Sequence, residues 1–354
     1  MRIIRHESGS PVISRRTQGF LLATVGAIAF SGKAIVAKLM YRHGVDAFTV
    51  VGLRMAMALP FFLAMAWWSG RTVDGRVPER LDSRGLWQIA GLGFCGYYLA
   101  STLDFLGLQY ISASLERAIL YLNPTLVLLL GVLFKGERPR PAQMGAVLLA
   151  YAGVAIVWLH DWSAVAVPSE AASSAGLAAA QAVATGSLLV LGSALSYAVY
   201  LMGSGALVGR MGSLRLVGWA SSVACVLALF QWAVVAQGGQ AALGWLPAVP
   251  HGAATAPLGA QWAGIAWQVW ALSLLNAIAC TVLPVWMVMR GVQLLGASVA
   301  SQVGMVGPLS TIWMAAWVLG EPITGRLMLG TAAILIGIVW LAKAKGDQAG
   351  SVRA

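Results

Sequence analysis

The stretch GLQYISASLERAILYLNPTLVLLLGVLFKGE, Gly107–Glu137, decides the fold, because the chain carries it twice. The second copy is GVQLLGASVASQVGMVGPLSTIWMAAWVLGE, Gly291–Glu321, offset by 184 residues with no gap. Seven positions coincide: Gly107/Gly291, Gln109/Gln293, Ala113/Ala297, Ser114/Ser298, Pro124/Pro308, Gly136/Gly320 and Glu137/Glu321. Shared Pro and Gly-Glu are more telling than shared Leu, since any two apolar runs match at leucines by chance. A repeat of this length is the mark of an internally duplicated architecture.

Composition says where such a duplication resides. The 354 residues are 59% hydrophobic and 10% charged, with mean hydropathy +0.79. A soluble domain is about 25% charged. So little charge cannot cover a soluble protein of this size, and the chain reads as a polytopic membrane protein. Disorder and collagen-like structure are excluded with the soluble class. The net charge of +11 is scattered between apolar spans and makes no duplex footprint, so no nucleic-acid partner is expected. Cys95, Cys225 and Cys280 all lie in apolar runs, which implies no disulfide framework.

A spanning helix needs roughly 20 mostly apolar residues. Ten runs qualify: 18–40, 47–68, 86–109, 113–134, 142–160, 185–208, 214–236, 264–289, 297–318 and 326–343. They are far longer than the ~10-residue alternating strands of a membrane barrel, so the fold class is all-α. The first run follows Arg15-Arg16 like a signal peptide, but it is too long and the next span follows at once, so it reads as a retained helix. With both termini in the cytoplasm, 17 of the 23 Lys and Arg fall on the cytoplasmic side, and Arg42 and Arg326 alone lie outside. The segments 161–184 and 237–263 carry no Lys or Arg, as translocated loops should, and the Gly/Pro-rich second one reads as irregular. The expected organisation is a cytoplasmic tail 1–17, a five-helix repeat 18–160, an external linker 161–184, a second five-helix repeat 185–343 and a cytoplasmic tail 344–354.

Five spans per copy is an odd number, so the two repeats insert upside down relative to one another. Inverted repeats are the architecture of alternating access, in which two similar halves exchange conformations and swap the open side. The repeated Gly-Glu has a structural reading: Gly136 and Gly320 end a helix in the left-handed conformation, and Glu137 and Glu321 sit before the next helix, where its dipole favours an anion. This outweighs a substrate role for the two carboxylates. Pro60, Pro124, Pro284 and Pro308 fall inside spans two, four, eight and nine. Each frees a carbonyl, which in a membrane only protein or a watered cavity can satisfy, so these are the hinge or kink candidates.

Six ionisable residues fall within spans: Lys33, Lys38, Arg54, Asp104, Glu116 and Arg117. Each must face the protein interior or water. At ~1.5 Å per residue, Lys33, Arg54, Asp104, Glu116 and Arg117 share one layer in the outer half, about 5–10 Å below the surface. Lys38 lies near the surface and snorkels. All six come from the first repeat, and the second carries Ala300 and Ser301 opposite Glu116 and Arg117. The layer holds three positive and two negative groups. In one reading a carboxylate or phosphate on the substrate supplies the missing charge, or Asp104 or Glu116 exchanges a proton. In the other, Arg54, Arg117, Asp104 and Glu116 are a structural ion-pair network locking spans two to four. On span four, Glu116, Leu120 and Asn123 share one face, and Arg117, Tyr121 and Pro124 the neighbouring one. Lys33, Arg54, Asp104, Glu116, Arg117, Tyr121 and Asn123 are therefore the substrate- or proton-binding candidates. Tyr97, Tyr98, Tyr197, Tyr200 and Trp219 are path-lining or packing aromatics, Trp67 and Trp68 an interfacial belt, and Gly205-x-x-x-Gly209 a close-packing site.

The parts of membrane enzymes are missing. His6, His43, His160 and His251 lie outside the spans or at their ends, a lone intramembrane Asp cannot make an aspartyl pair, and no phosphate-binding Gly-rich loop is present. No enzyme, cofactor or metal is expected, and transport is driven by a gradient or by the substrate.

These residues resemble the drug/metabolite transporter superfamily, specifically the EamA-type ten-helix permeases. The likeness rests on Ser31-Gly32-Lys33, on Ala47 to Pro60 with Leu53-Arg54, on Gly107 to Ser114, and on Asn123-Pro124 with Gly136-Glu137-Arg138. The second copy adds Gly291 to Ser298, Pro308 and Gly320-Glu321-Pro322. It covers about 18–343. Gly32-Lys33 stands where the family often has Trp-Gly-x-Asn, and Ser114-Leu115-Glu116-Arg117 marks a subgroup. The resemblance implies two five-helix bundles around a central cavity, with the fifth and tenth helices peripheral. It implies a multi-pass permease of the bacterial inner membrane, often an exporter of amino acids or other small metabolites. The expected function is a secondary transporter of a small polar or anionic, amino acid-like metabolite, working by alternating access and exporting. Its partners are that substrate, the lipid bilayer and protons as a candidate coupling ion, with the oligomeric state open. The alternative is a non-transporting membrane sensor or assembly subunit.

Overall fold

The computed structural model describes residues 14–69, 82–136, 138–166, 174–237, 264–295, 303–304 and 306–351. Among the described residues helix is the only regular structure. The elements are α1 (Arg15–Tyr41), α2 (Ala47–Ser69), α3 (Ser83–Leu108), α4 (Ala113–Leu120), α5 (Asn123–Lys135), α6 (Pro141–Ala166), α7 (Ser174–Met211), α8 (Ser213–Ala236), α9 (Trp267–Leu295), α10 (Val306–Met314) and α11 (Gly325–Ser351). Short polar residues cap five of them at the start. Ser14, Asp46, Asp82, Ser112 and Thr324 accept from the amides of Thr17, Thr49, Gly85, Leu115 and Leu327. Gly136 (φ 64°) ends α5, and Gly320 (φ 77°) ends the π turn Ala315–Leu319 that continues α10. The repeat-matched glycines thus take the left-handed conformation expected of them.

Nine helices among the described residues are long and apolar enough to cross a membrane, and Leu309–Leu319 is a shorter apolar helix. The chain is an all-α, multi-pass membrane protein. Spans one to three are α1, α2 and α3, and α4 with α5 makes the fourth. Then α6 to α9 are spans five to eight, α10 lies in the ninth and α11 is the tenth. We name the two ends of the bundle by α1: the Arg15 end, where it starts, and the Arg42 end, where it stops.

Three differences from the expected spans have physical causes. Helix continues through much of 161–184, because α6 runs to Ala166 and α7 starts at Ser174. The segment from Ser174 to Ala184 is rich in alanine, the strongest helix former, and lack of Lys and Arg says nothing about helicity. Span four is broken at Tyr121-Leu122, with Pro124 in the first turn of α5, where a missing amide hydrogen costs nothing. Spans three, eight and nine contain π turns, at Phe94–Leu99, Ile278–Val282 and Ala315–Leu319. The first two coincide under the same 184-residue offset that matches Gly107 to Gly291. Residues 238–263 of the expected irregular segment 237–263, residues 297–302 and 305 of the expected ninth span, and Glu137 lie outside the described residues.

In lipid no hydrophobic force drives helices together, so packing relies on close backbone approach. α1 packs on α9, α2 on α8, α3 on α7, and α6 on α11. Exchanging spans one to five with six to ten maps this set onto itself, as a two-fold relation between inverted repeats requires. At the α6–α11 seam a Cβ on Gly153 would stand 2.6 Å from the Gly330 carbonyl oxygen. Only glycine permits that approach. The Gly205 of the expected Gly205-x-x-x-Gly209 contact has nothing within 4 Å of such a Cβ, so it makes no close helix contact.

Candidate functional site

The fold leaves a cavity of about 380 Å³ at the centre of the bundle. Spans one to four and six to nine wall it, and α6 and α11 contribute none of its described lining. Their seam is peripheral, as the resemblance implies. Lys33, Arg54, Asp104 and Arg117 lie at one limit of the cavity. From there it runs toward the Arg15 end as far as Phe62, Ser221 and Met289. On the Arg42 side of the charges, Tyr41, Val50, Val51, Ile111 and Leu115 are buried side chains of the core.

The structure brings the five charges of the first repeat together. Lys33 Nζ donates to Asp104 Oδ2 at 2.6 Å and lies 3.8 Å from Glu116 Oε1. Arg117 Nε lies 3.8 Å from Glu116 Oε2. Neighbours on a helix diverge by about 100°. Their length still lets Arg117 reach the cavity while Glu116, fully buried, turns toward Lys33. A structural network through Arg54 does not form: among the described residues Arg54 makes no ion pair. Its guanidinium lies over the Phe105 ring, 4.4 Å from the centroid, and Lys33 has taken its place between the carboxylates. Arg54 is 2% exposed, and its Nε and Nη2 have no hydrogen-bond partner. Arg117 Nε and Nη2, Asp104 Oδ1 and Asn123 Oδ1 are likewise without one.

Tyr121 and Asn123 line the same cavity. Tyr121 also joins the two repeats. Pro308 has no amide hydrogen, so the carbonyl four residues before it, that of Gly304, lacks an intrahelical donor. Tyr121 Oη donates to that oxygen at 3.1 Å. Ser31 Oγ donates to the neighbouring Gly307 carbonyl at 3.0 Å. Of the kink candidates, Pro124 and Pro284 line the cavity, while Pro60 is exposed on the outside of α2. The side chain of Pro308 lies outside the described residues. Among the aromatics, Tyr97 and Tyr197 line the cavity, and Tyr200 stands behind them, hydrogen-bonded to Tyr97 at 3.1 Å between hydroxyls. Tyr98 is not in the wall, and Trp67, Trp68 and Trp219 are exposed.

The Arg42 end is closed by a contact that the sequence places on the wrong helix. Glu321 precedes α11, yet its carboxylate caps α4 of the other repeat. Oε1 accepts from the Ala113 amide at 2.8 Å, and Oε2 from the Ser114 amide at 3.3 Å and hydroxyl at 2.8 Å. Asp161 adds a bond from the Ser112 amide at 3.1 Å. Arg42 Nη2 donates to the Leu319 carbonyl at 2.6 Å. Lys38, expected to snorkel, is half-buried beside this layer, with Glu321 and Asp161 as its nearest acting carboxylates. Asn276 went unnoticed in the sequence although a lone Asn in an apolar run is a visible signal. It is fully buried and donates to the Lys33 carbonyl at 3.4 Å. Among the described residues no group of three or more His, Cys, Asp or Glu could hold a metal ion.

The family model described as the EamA-like transporter family matches residues 17–159 and again 184–343, most of the chain. The chain belongs to the EamA-like transporter family. This EamA-like transporter is also similar to the uncharacterized transporter YcbK of Bacillus subtilis (strain 168), with 24% identity over 331 residues, 92% of this chain and 93% of the relative. A protein of solved crystal structure is similar at a TM-score of 0.49 and 16% identity, covering 95% of this chain and 99% of the other. The likeness to YcbK spans both repeats, so it takes in the two halves that wall the cavity. A membrane transporter of this family implies a small-molecule substrate and a lipid bilayer, and the cavity between the repeats is the space such a substrate needs.

Proposed function

We propose that the protein is a secondary transporter that exports a small polar or anionic, amino acid-like metabolite across the bacterial cytoplasmic membrane by alternating access. One observation carries the reading: a central cavity between inverted repeats ends on a buried arginine that has no counter-ion among the described residues. Arg54 in that position is costly unless something completes it, because an unpaired buried charge forgoes several kcal/mol of hydration. A negatively charged substrate group does so on binding. Lys33, Asp104, Glu116, Arg117, Tyr121 and Asn123 complete the site, and Asp104 or Glu116 carries the proton where transport is proton-coupled. Residues 18–160 and 185–343 are the two moving halves, and both termini lie in the cytoplasm, following the Lys/Arg bias. In that orientation the cavity runs toward the cytoplasm and the Glu321 layer shuts the outer mouth, which is the state that loads an exported substrate. Pro124, Pro284 and Pro308 bend the spans that border the cavity.

The test is solute movement in vesicles holding the purified protein, with metabolites sorted by charge. Inside-out vesicles are expected to accumulate anionic members, and Arg54→Ala is expected to abolish this while the variant still elutes as a folded species. Full transport by Arg54→Ala removes Arg54 from the mechanism. Absence of movement for every charge class, in a protein that binds them, leaves a sensor or assembly subunit as the better reading.

A further inference from the structure

The charges and walls of the cavity specify its ligand more narrowly, given that the cavity is the transport site. With both carboxylates ionised the four ion-paired groups cancel: Lys33 stands between Asp104 and Glu116, and Arg117 faces Glu116. Arg54 is the surplus, a single positive charge 98% withdrawn from solvent. A ligand that neutralises this surplus carries one net negative charge. A dianion brings one charge too many and a zwitterion brings none, and in a low-dielectric cavity either mismatch is expensive, so the proposed substrate class narrows to its anionic members that carry no ammonium group.

The free donors give the shape of the anion. Nε and Nη2 form the side edge of a guanidinium, two parallel N–H donors spaced to meet both oxygens of a carboxylate. On Arg54 those two atoms have no hydrogen-bond partner; the same pair on Arg117 has none either, but its Nε faces Glu116 at 3.8 Å. The face of the guanidinium lies over the Phe105 ring, 4.4 Å from its centroid. Arg54 is therefore held in place while this edge stays buried at the cavity wall without a partner.

The walls give the remainder of the molecule. Away from the charges the lining is Phe62, Leu120, Pro284, Val285, Val288 and Met289, with Tyr97 and Tyr197 facing them. Such a wall offers dispersion and hydrophobic contact to an apolar body, with Asn123 and Ser221 as its few unpartnered polar side chains away from the charges. Taking about 30 Å³ for each water-sized group, the volume holds on the order of a dozen non-hydrogen atoms.

We propose that the cavity binds an apolar-bodied monocarboxylate of that size, its carboxylate paired with the Arg54 guanidinium and its body against spans two, four and eight. The experiment uses the full chain purified in detergent and follows thermal unfolding with five probes: 3-phenylpropanoate, octanoate, 3-phenylpropanamide, phenylalanine and phenylsuccinate. The two monocarboxylates are expected to raise Tm, and the amide, the zwitterion and the dicarboxylate are not. Arg54→Lys keeps the charge and loses the fork, and is expected to weaken monocarboxylate binding about tenfold or more. Arg54→Met removes the charge and is expected to abolish it. Both variants are first checked for monodisperse elution, and the conservative one keeps the test valid if the other fails to fold. Stabilisation by the amide equal to that by the acid overturns the proposal. So does a phenylalanine or phenylsuccinate response above that of both monocarboxylates, a failure of both acids to bind, or undiminished binding by Arg54→Lys. Movement of the probes across proteoliposomes is read separately. If zwitterions move and monocarboxylates do not, the ligand class is wrong and transport stands. If monocarboxylates bind through Arg54 and no solute crosses, the class stands and the transport reading falls.

Discussion

Pro308 shows how one missing hydrogen organises a membrane protein. Its helix cannot supply a donor to Gly304, and in hydrocarbon an orphaned carbonyl costs several kcal/mol. Tyr121, from the equivalent span of the other repeat, supplies it. Tyr121→Phe keeps the ring and removes the donor, leaving a half-buried acceptor at the cavity wall unsatisfied, and is expected to cost about 1 kcal/mol. Thermal melts of the two proteins check this, and an unchanged Tm would mean that the Tyr121 bond contributes nothing. The proline was legible in the sequence as a freed carbonyl, and Tyr121 was legible as a polar group on the inner face of span four. That one satisfies the other was not, because it depends on how two spans 183 residues apart cross. The same limit applies to the charges. Burial cost alone marks Lys33, Arg54, Asp104, Glu116 and Arg117 as interior groups. It does not say that Lys33, not Arg54, bridges the two carboxylates, since helix rotation about the axis decides that.

Among the elements, α4 has only eight residues and begins with three free amides at the Arg42 end. Its N-terminus attracts an anion, and the sequence supplies Ser112 as the local cap. The second cap, Glu321, comes from the far repeat and cannot be read from local spacing, which assigns it to α11. At Glu321 the Gly-Glu signature is correct about a helix start, and the carboxylate caps a different one. Glu321→Ala removes three hydrogen bonds to a carboxylate at a partly buried helix start. The expected loss is about 1.5–3 kcal/mol, the worth of a charged hydrogen bond, because the freed amides are partly rehydrated. A Tm equal to that of the parent would show that water replaces the carboxylate without loss. The π turns at Phe94–Leu99 and Ile278–Val282 mark the limit of what periodicity shows. One extra residue per turn barely alters an apolar pattern. Their agreement with the 184-residue offset emerges only from the backbone, and it extends the duplication upstream of Gly107. Such bulges concentrate at functional sites, and both border the cavity here, at Gly96-Tyr97 and at Thr281.

For the whole molecule, the proposed alternating access requires that a seal at one end have a counterpart state with the seal at the other. The Glu321 layer closes the Arg42 end, and the cavity lies in the half toward the Arg15 end. Cysteine labelling can read both ends in one experiment, in a background where Cys95, Cys225 and Cys280 are replaced. Val288→Cys reports the cavity, since Val288 lines it. Ile111→Cys reports the sealed end, where Ile111 is 2% exposed. A membrane-impermeant maleimide is expected to label Val288→Cys from the Arg15 face alone and to leave Ile111→Cys unlabelled from either face. Adding Glu321→Ala weakens the seal, so labelling at Ile111→Cys is expected to rise from the Arg42 face. Labelling at Val288→Cys falls in the same variant, because two halves that exchange conformations cannot hold both mouths open. A rise at one site without a fall at the other would describe a pore or local fraying, and would separate the Glu321 contact from any coupled motion. Reciprocal change would tie a carboxylate after span nine to access on the opposite side of the bundle, which only a concerted movement of the two repeats explains.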